Sequence, residues 1–133
     1  MSARNPALAY QDHAIQTADG PHLLIMICER LTADIDRAEV AIETADYEAA
    51  NENLQHAQRC VRVLRNALDP DGFKGGSELL SVYAFLEQRL VEANLKKDIV
   101  LVRQCGETFR PIHEAWQKAV SLNEHNDLIA HVG

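Results

Sequence analysis

Six histidines are the residues of this sequence best suited to chemistry, since a neutral imidazole ligates metals and titrates near neutral pH. A di-iron site in a helical protein needs glutamate three residues before histidine on two helices, and no histidine here has that spacing. His113-Glu114 begins a zinc-protease motif, but Gln117 stands where the second histidine belongs. We therefore expect no bound metal, and we interpret His56 and His113 as solvated or partly buried side chains.

The thiols and hydroxyls give no better sign of catalysis. The sequence has three cysteines, Cys28, Cys60 and Cys105, which are far apart and include no C-x-x-C pair. An odd number of widely spaced cysteines is atypical of a disulfide framework or a structural zinc site. It fits a protein of the reducing cytoplasm. All three fall on or beside an apolar stripe, which predicts small buried side chains. No G-x-S-x-G turn is present, and Gly75-Gly76 lacks the lysine of a phosphate-binding loop. The sequence thus predicts a protein that is not an enzyme and needs no cofactor.

Composition narrows the class of partner. The 133 residues suit one domain, and 47% apolar with 25% charged residues is typical of a soluble globular protein. A net charge of −7 disfavours nucleic acid and anionic membranes. The N-terminus has no signal-peptide pattern, and no stretch approaches the roughly 20 apolar residues of a membrane span. We therefore expect a cytoplasmic protein. The second predicted helix carries a basic stripe, Arg59, Arg62 and Arg65, which we interpret as a solvated face paired with neighbouring acidic residues.

Any functional residues must be positioned by helices, because glycine and proline are absent between Pro21 and Pro70 and again between Gly76 and Gly106. Apolar residues recur at alternating steps of four and three, as in a helix with one buried side. The predicted break between the first two helices is at 44–47. Predicted caps for the second, third and fourth helices are Asp46, Ser77 and Asp98.

The sequence therefore predicts an all-α, antiparallel up-down four-helix bundle, because four helices with short connections pack in that way. We expect one domain over 1–133, with an N-terminal arm at 1–18, the bundle at 19–122 and a frayed or briefly docked tail at 123–133. Asp19 is the predicted cap of the first helix. Pro111 predicts a kink or break of the fourth helix near Glu107 to Arg110.

The third predicted helix carries more apolar residues than one buried side needs. One interpretation is a wide core stripe, which is normal for helices of globular proteins. A second is an exposed groove that receives another polypeptide, and a third is a homodimer interface. Phe85 favours the groove, because it lies two residues from Tyr83 and so on another face. A small His/Glu metal-binding bundle is a further alternative that the ligand spacing disfavours.

Several short motifs in register resemble those of the FliS family of flagellin export chaperones, over residues 10–116. The family's opening is similar to Tyr10-Gln11, Thr17-Ala18 and the run Leu23-Leu24-Ile25-Met26-Ile27. Its later motifs resemble Ala50-Asn51, Leu54, Ala57, Cys60-Val61, Leu68-Asp69, Gly75-Gly76, Val82-Tyr83-Ala84-Phe85, Leu90, Ala93-Asn94, Asp98 and Trp116.

The resemblance implies a chaperone that binds the C-terminal segment of flagellin, prevents early polymerisation and delivers the subunit to the flagellar export apparatus, without a cofactor. It also implies an N-terminal arm that can cover part of the groove when flagellin is absent. The flagellar export gate and a co-chaperone are further candidate partners. The predicted binding residues are Tyr10 and Ile15 in the arm, Asn51 and Asn94 as amides for a peptide backbone, and the apolar Leu54, Val61, Tyr83, Phe85, Leu90 and Val102. For Leu54, Val61 and Leu90, a position in the core is the better interpretation. The two asparagines could instead have a role at helix ends or in turns. Trp116 is expected to anchor the fourth helix in the core.

Overall fold

A computed structural model describes the backbone of residues 20–132 and the side chains of residues 20–125. Its helices are α1 (Gly20–Glu43), α2 (Tyr47–Ala67), α3 (Gly76–Lys96) and α4 (Ile99–Val132). Each helix packs on its neighbours along the chain, and α4 closes the ring against α1. This confirms the predicted all-α four-helix bundle, and the short connections at 44–46 and 97–98 fit an antiparallel arrangement. The expected arm at 1–18 and the Asp19 cap lie outside the described residues.

One apolar core fills the centre of the bundle. The predicted stripes of α1 and α2 supply much of it, and α3 and α4 complete it with Tyr83, Leu86, Leu90, Val102 and Phe109. The three thiols are free and buried, as their place on the stripes predicted. Burial raises the pKa of Cys28 and of Cys105 to about 12, so these thiols remain protonated. Among the described residues, no helix is both long and apolar enough to cross a membrane.

The connection between α1 and α2 follows the predicted chemistry. Ala45 takes a left-handed conformation with φ of 58°, and the Asp46 side chain accepts a hydrogen bond of 3.1 Å from the backbone N–H of Ala49. At the start of α4, Asp98 Oδ1 accepts from the backbone N–H of Val100 at 2.9 Å. Both carboxylates satisfy donors that have no partner inside their helix, which confirms these two caps.

Replacing Asp46 with alanine should lower the free energy of unfolding by about 1 kcal/mol, because the first turn of α2 loses its side-chain acceptor. Urea denaturation followed by circular dichroism measures this difference. Asp46→Asn is the matched control, because an amide oxygen caps about as well as a carboxylate and should keep most of the stability. Equal losses in the two variants would show that the charge of Asp46, and not its cap, stabilises the helix.

The predicted Ser77 cap of α3 is wrong. The helix begins at Gly76, and its N-cap is Gly75, which has φ of 88° and provides no side-chain bond. This left-handed conformation is easily reached only by glycine. A Cβ at Gly76 would lie 2.3 Å from the carbonyl oxygen of Pro70. The loop therefore folds so tightly onto the start of α3 that the glycine pair fixes where this helix begins.

Of the predicted kink or break near Pro111, the break is wrong, because α4 runs through the proline without interruption. Pro111 and Glu107, the residue one turn earlier, are both exposed. The Glu107 carbonyl that loses its backbone donor can therefore bond to water, which lowers the usual cost of a helical proline. Residues 123–132, which were expected to form part of a frayed or briefly docked tail, instead continue α4 as a helix to Val132.

Candidate partner-binding surface

Most of the predicted apolar binding residues lie in the core. Leu54, Val61, Leu90 and Val102 have 0% exposed surface and Tyr83 has 1%. The core interpretation of Leu54, Val61 and Leu90 is thereby confirmed, and none of these side chains reaches the surface of the described bundle. Tyr10 and Ile15 lie outside the described residues.

Tyr83 joins α3 to α4 through a polar contact at the edge of the core. Its hydroxyl accepts a hydrogen bond of 2.9 Å from the indole N–H of Trp116. Burial raises the pKa of Tyr83 above its ordinary value, so the phenol stays neutral. The ring of Phe73 meets Trp116 edge to face at 6.1 Å between centroids. Trp116 packs against the core as expected, and this contact holds α4 against α3.

Asn51 and Asn94 form a direct bridge between α2 and α3. The Asn94 side-chain amide donates to Asn51 Oδ1 at 2.9 Å. The Asn94 side-chain oxygen is buried and has no hydrogen-bond partner among the described residues. A buried oxygen that accepts no hydrogen bond lowers the stability of the folded protein, because it has lost its hydrogen bonds to water. Since the backbone carbonyl of Asn94 also accepts from Lys97 Nζ at 2.7 Å, this asparagine additionally serves the end of α3.

Phe85 is the one predicted apolar residue of the bundle that the structure exposes. Its side chain is 48% exposed, and the Arg89 guanidinium lies 4.8 Å above its ring. Val91 and Leu95 are also exposed on α3, Leu95 by 81%. We name these three residues the outer apolar face of α3, because they project away from the side that carries Tyr83, Leu86 and Leu90. Val91 and Leu95 belong to the surplus of apolar residues on the third predicted helix, and neither is among the predicted binding residues.

The arginine stripe on α2 pairs with α3 as expected. Arg62 and Arg65 contact the two oxygens of Glu87 at 3.1 and 2.7 Å. On the opposite side of the bundle, Arg103 of α4 bonds to Glu39 of α1 at 2.9 Å. Exposed pairs of this kind contribute little stability each, and because two arginines share the single Glu87 carboxylate, the pairs do not neutralise the stripe.

A polar cluster that sequence reasoning missed lies between α1 and α2. Asp34 is 1% exposed, and its Oδ2 is in direct hydrogen-bond contact with His56 Nδ1. Cys60 Sγ lies 3.6 Å from that nitrogen and 3.9 Å from Asp34 Oδ2. Burial and the neighbouring Asp34 carboxylate raise the pKa of Cys60 to about 11. His56 is partly buried, as expected, but it is paired with a carboxylate on the adjacent helix.

Together these features define a small four-helix bundle protein with an apolar outer helix face. A family model described as "Flagellar protein FliS" matches residues 3–123. This chain belongs to the FliS family, which confirms the resemblance seen in its motifs.

Three curated relatives are each called "Flagellar secretion chaperone FliS". The relative from Bacillus subtilis (strain 168) is 30% identical over 120 residues, which are 90% of this chain and 90% of the relative. The relative from Salmonella typhimurium is 27% identical over 112 residues, with 80% of this chain and 81% of the relative covered. The Escherichia coli (strain K12) relative is 22% identical over 111 residues, 82% of each chain. The likeness therefore extends over most of the bundle.

Proposed function

We propose that this protein is a cytoplasmic chaperone of flagellar secretion that binds the C-terminal segment of flagellin. It keeps that segment from polymerising early and delivers the subunit to the flagellar export apparatus, where a gate component is a second partner. The observation that carries the proposal is the family match over residues 3–123, supported by relatives named as flagellar secretion chaperones.

The exposed apolar side chains support binding of a disordered polypeptide. A disordered segment loses conformational entropy when it folds on binding, at a cost of about 2–5 kcal/mol. The new contacts with the partner must offset this cost. Burying a phenylalanine or leucine side chain contributes about 1.5–3 kcal/mol. Phe85 and Leu95 are exposed enough to make that contribution when a partner covers the outer apolar face of α3.

The asparagine bridge provides polar recognition in the same proposal. The buried side-chain oxygen of Asn94 would accept a backbone N–H of the flagellin segment, and Asn51 would hold the Asn94 amide in place. Tyr10 and Ile15 would belong to an arm that competes for the groove. The predicted binding residues that are buried would act indirectly, because their packing holds α2, α3 and α4 in position. They are Leu54, Val61, Tyr83, Leu90 and Val102.

The direct test is calorimetric titration of the protein with the C-terminal segment of flagellin from the same source. We expect one-to-one binding with a large negative heat-capacity change, because apolar surface is buried as the segment folds. If neither this segment nor full-length flagellin bound, the flagellin proposal would be wrong.

Variants of the outer apolar face locate the contact. Phe85→Ala and Leu95→Ala should each weaken binding by about tenfold or more, because anchor residues of an interface typically contribute at least that much. Val40→Ala is the matched control, since Val40 is 58% exposed on α1, a helix whose backbone is not adjacent to that of α3. Equal weakening by all three variants would show that the outer apolar face of α3 is not the specific site.

Self-association is the second candidate, because the same exposed face could be covered by another copy of the chain. Sedimentation of the free protein distinguishes the two functions. A dimer that Leu95→Ala dissociates, and that flagellin does not, would favour self-association. A monomer that becomes a one-to-one complex favours the chaperone.

A further inference from the structure

We propose that Asp34, His56 and Cys60 form a binding site for a thiophilic divalent cation of the Zn²⁺ type. The sequence predicted no bound metal because its histidines and cysteines lack the ligand spacings of known metal motifs, whereas this set combines side chains from two helices. His56 and Cys60 lie four residues apart and so adjoin on α2, while Asp34 comes from α1. Imidazole, thiolate and carboxylate are the three ligand types that zinc takes from proteins.

The spacing of the ligand atoms suits a single ion. One atom from each residue lies within 4.8 Å of the other two. Zinc bonds of about 2.0–2.3 Å in tetrahedral geometry separate neighbouring ligand atoms by roughly 3.3–3.7 Å. Cys60 Sγ already lies 3.6 Å from His56 Nδ1 and 3.9 Å from Asp34 Oδ2. The closer contact between His56 Nδ1 and Asp34 Oδ2 would open as the cation replaces the proton between them.

The Asp34 oxygen that faces His56 and Cys60 is not the one that the neighbouring arginines contact. Arg30 and Arg37 approach the other oxygen of Asp34, Oδ1, at 3.4 and 3.9 Å, which leaves Oδ2 directed at His56 and Cys60. The Asp34 carboxylate and a Cys60 thiolate together balance the charge of a divalent ion. Binding displaces the thiol proton to solvent and takes neutral His56 in the tautomer whose proton lies on Nε2, so that Nδ1 is free to ligate the cation. The His56 side chain is 32% exposed, so a cation can enter and a water molecule can complete its coordination.

Titration of the full-length protein with Co²⁺ and Zn²⁺ tests the proposal. We expect one Co²⁺ per chain, with a thiolate-to-cobalt charge-transfer absorption that Zn²⁺ displaces. Cys60→Ala should abolish this absorption, and Cys60→Ala and His56→Gln should weaken Zn²⁺ binding by at least about 100-fold. Cys105→Ala is the matched control, since this buried thiol lies on α4 outside the cluster and its loss should change neither result.

Thermal unfolding provides a second readout, because a ligand of the folded state raises the melting temperature. Zn²⁺ should raise the melting temperature of the unmodified protein and of Cys105→Ala, but not of His56→Gln. Absence of the charge-transfer absorption in the unmodified protein, or its persistence in Cys60→Ala, would overturn the proposal. The cluster would then be a hydrogen-bonded Asp34–His56 pair with a neighbouring thiol.

Discussion

Leu90→Ala is expected to lower the free energy of unfolding by about 2–5 kcal/mol, because it removes a fully buried side chain from the centre of the bundle. Leu90 belongs to the core cluster that α3 shares with the other helices, so the surrounding side chains cannot collapse fully into the space that remains. A loss of this size is a large part of the stability of a small domain.

Leu95→Ala on the same helix is the matched control for Leu90→Ala. It removes the same atoms from a side chain that is 81% exposed, so its unfolding free energy should change by no more than about 0.5 kcal/mol. Chemical denaturation of both variants measures the difference. A loss of more than about 1 kcal/mol in Leu95→Ala would mean that Leu95 is covered in the free protein, contrary to its proposed role in binding flagellin.

Gly76→Ala is expected to lower the free energy of unfolding by about 1–3 kcal/mol through overpacking. The added Cβ would lie 2.3 Å from the carbonyl oxygen of Pro70 and 2.8 Å from its carbonyl carbon. Both are backbone atoms, so the loop before α3 must move as a unit to make room. Thermal and chemical denaturation should show the loss.

Gly106→Ala tests the same substitution where space is available. Gly106 lies inside α4, and an added Cβ would meet its nearest neighbours, on Ile35 and Arg110, at 3.5 Å. Alanine is preferred over glycine inside a helix by about 0.8–1.0 kcal/mol, so this variant should be more stable than the parent. Stabilisation by both substitutions would contradict the close packing of the loop against Gly76.

The sequence predicted well those features that depend on neighbours along one helix. The apolar stripes, the break at 44–47 and the Asp46 cap all express local periodicity or a side chain that bonds three residues away. Short motifs in register identified the FliS family, which the family model confirms. Phe85 could be assigned to a different face from Tyr83 by helical geometry alone, and its exposure confirms that difference.

Features that depend on contact between helices could not be predicted in the same way. Asp34 is three residues after Leu31 and four before Ala38, so it lies on the buried stripe of α1. That position was the available signal, but its pairing with His56 depends on how α1 and α2 align. Similarly, the continuity of α4 depends on Pro111 having solvent beside it, which only the packed structure reveals.

The ring of helix contacts has a consequence for how quickly the chain reaches its native state. Within the described helices, three of the four packed pairs join consecutive helices, and only the contact of α1 with α4 brings distant parts of the chain together. Such topologies have low contact order and fold in microseconds to milliseconds. The hairpins α1–α2 and α3–α4 can each form from contacts between neighbouring parts of the chain. The packing of α4 on α1, where Arg103 contacts Glu39, closes the longest loop and therefore has the greatest cost in chain entropy. The bundle of a newly synthesised copy can thus be complete soon after the chain leaves the ribosome.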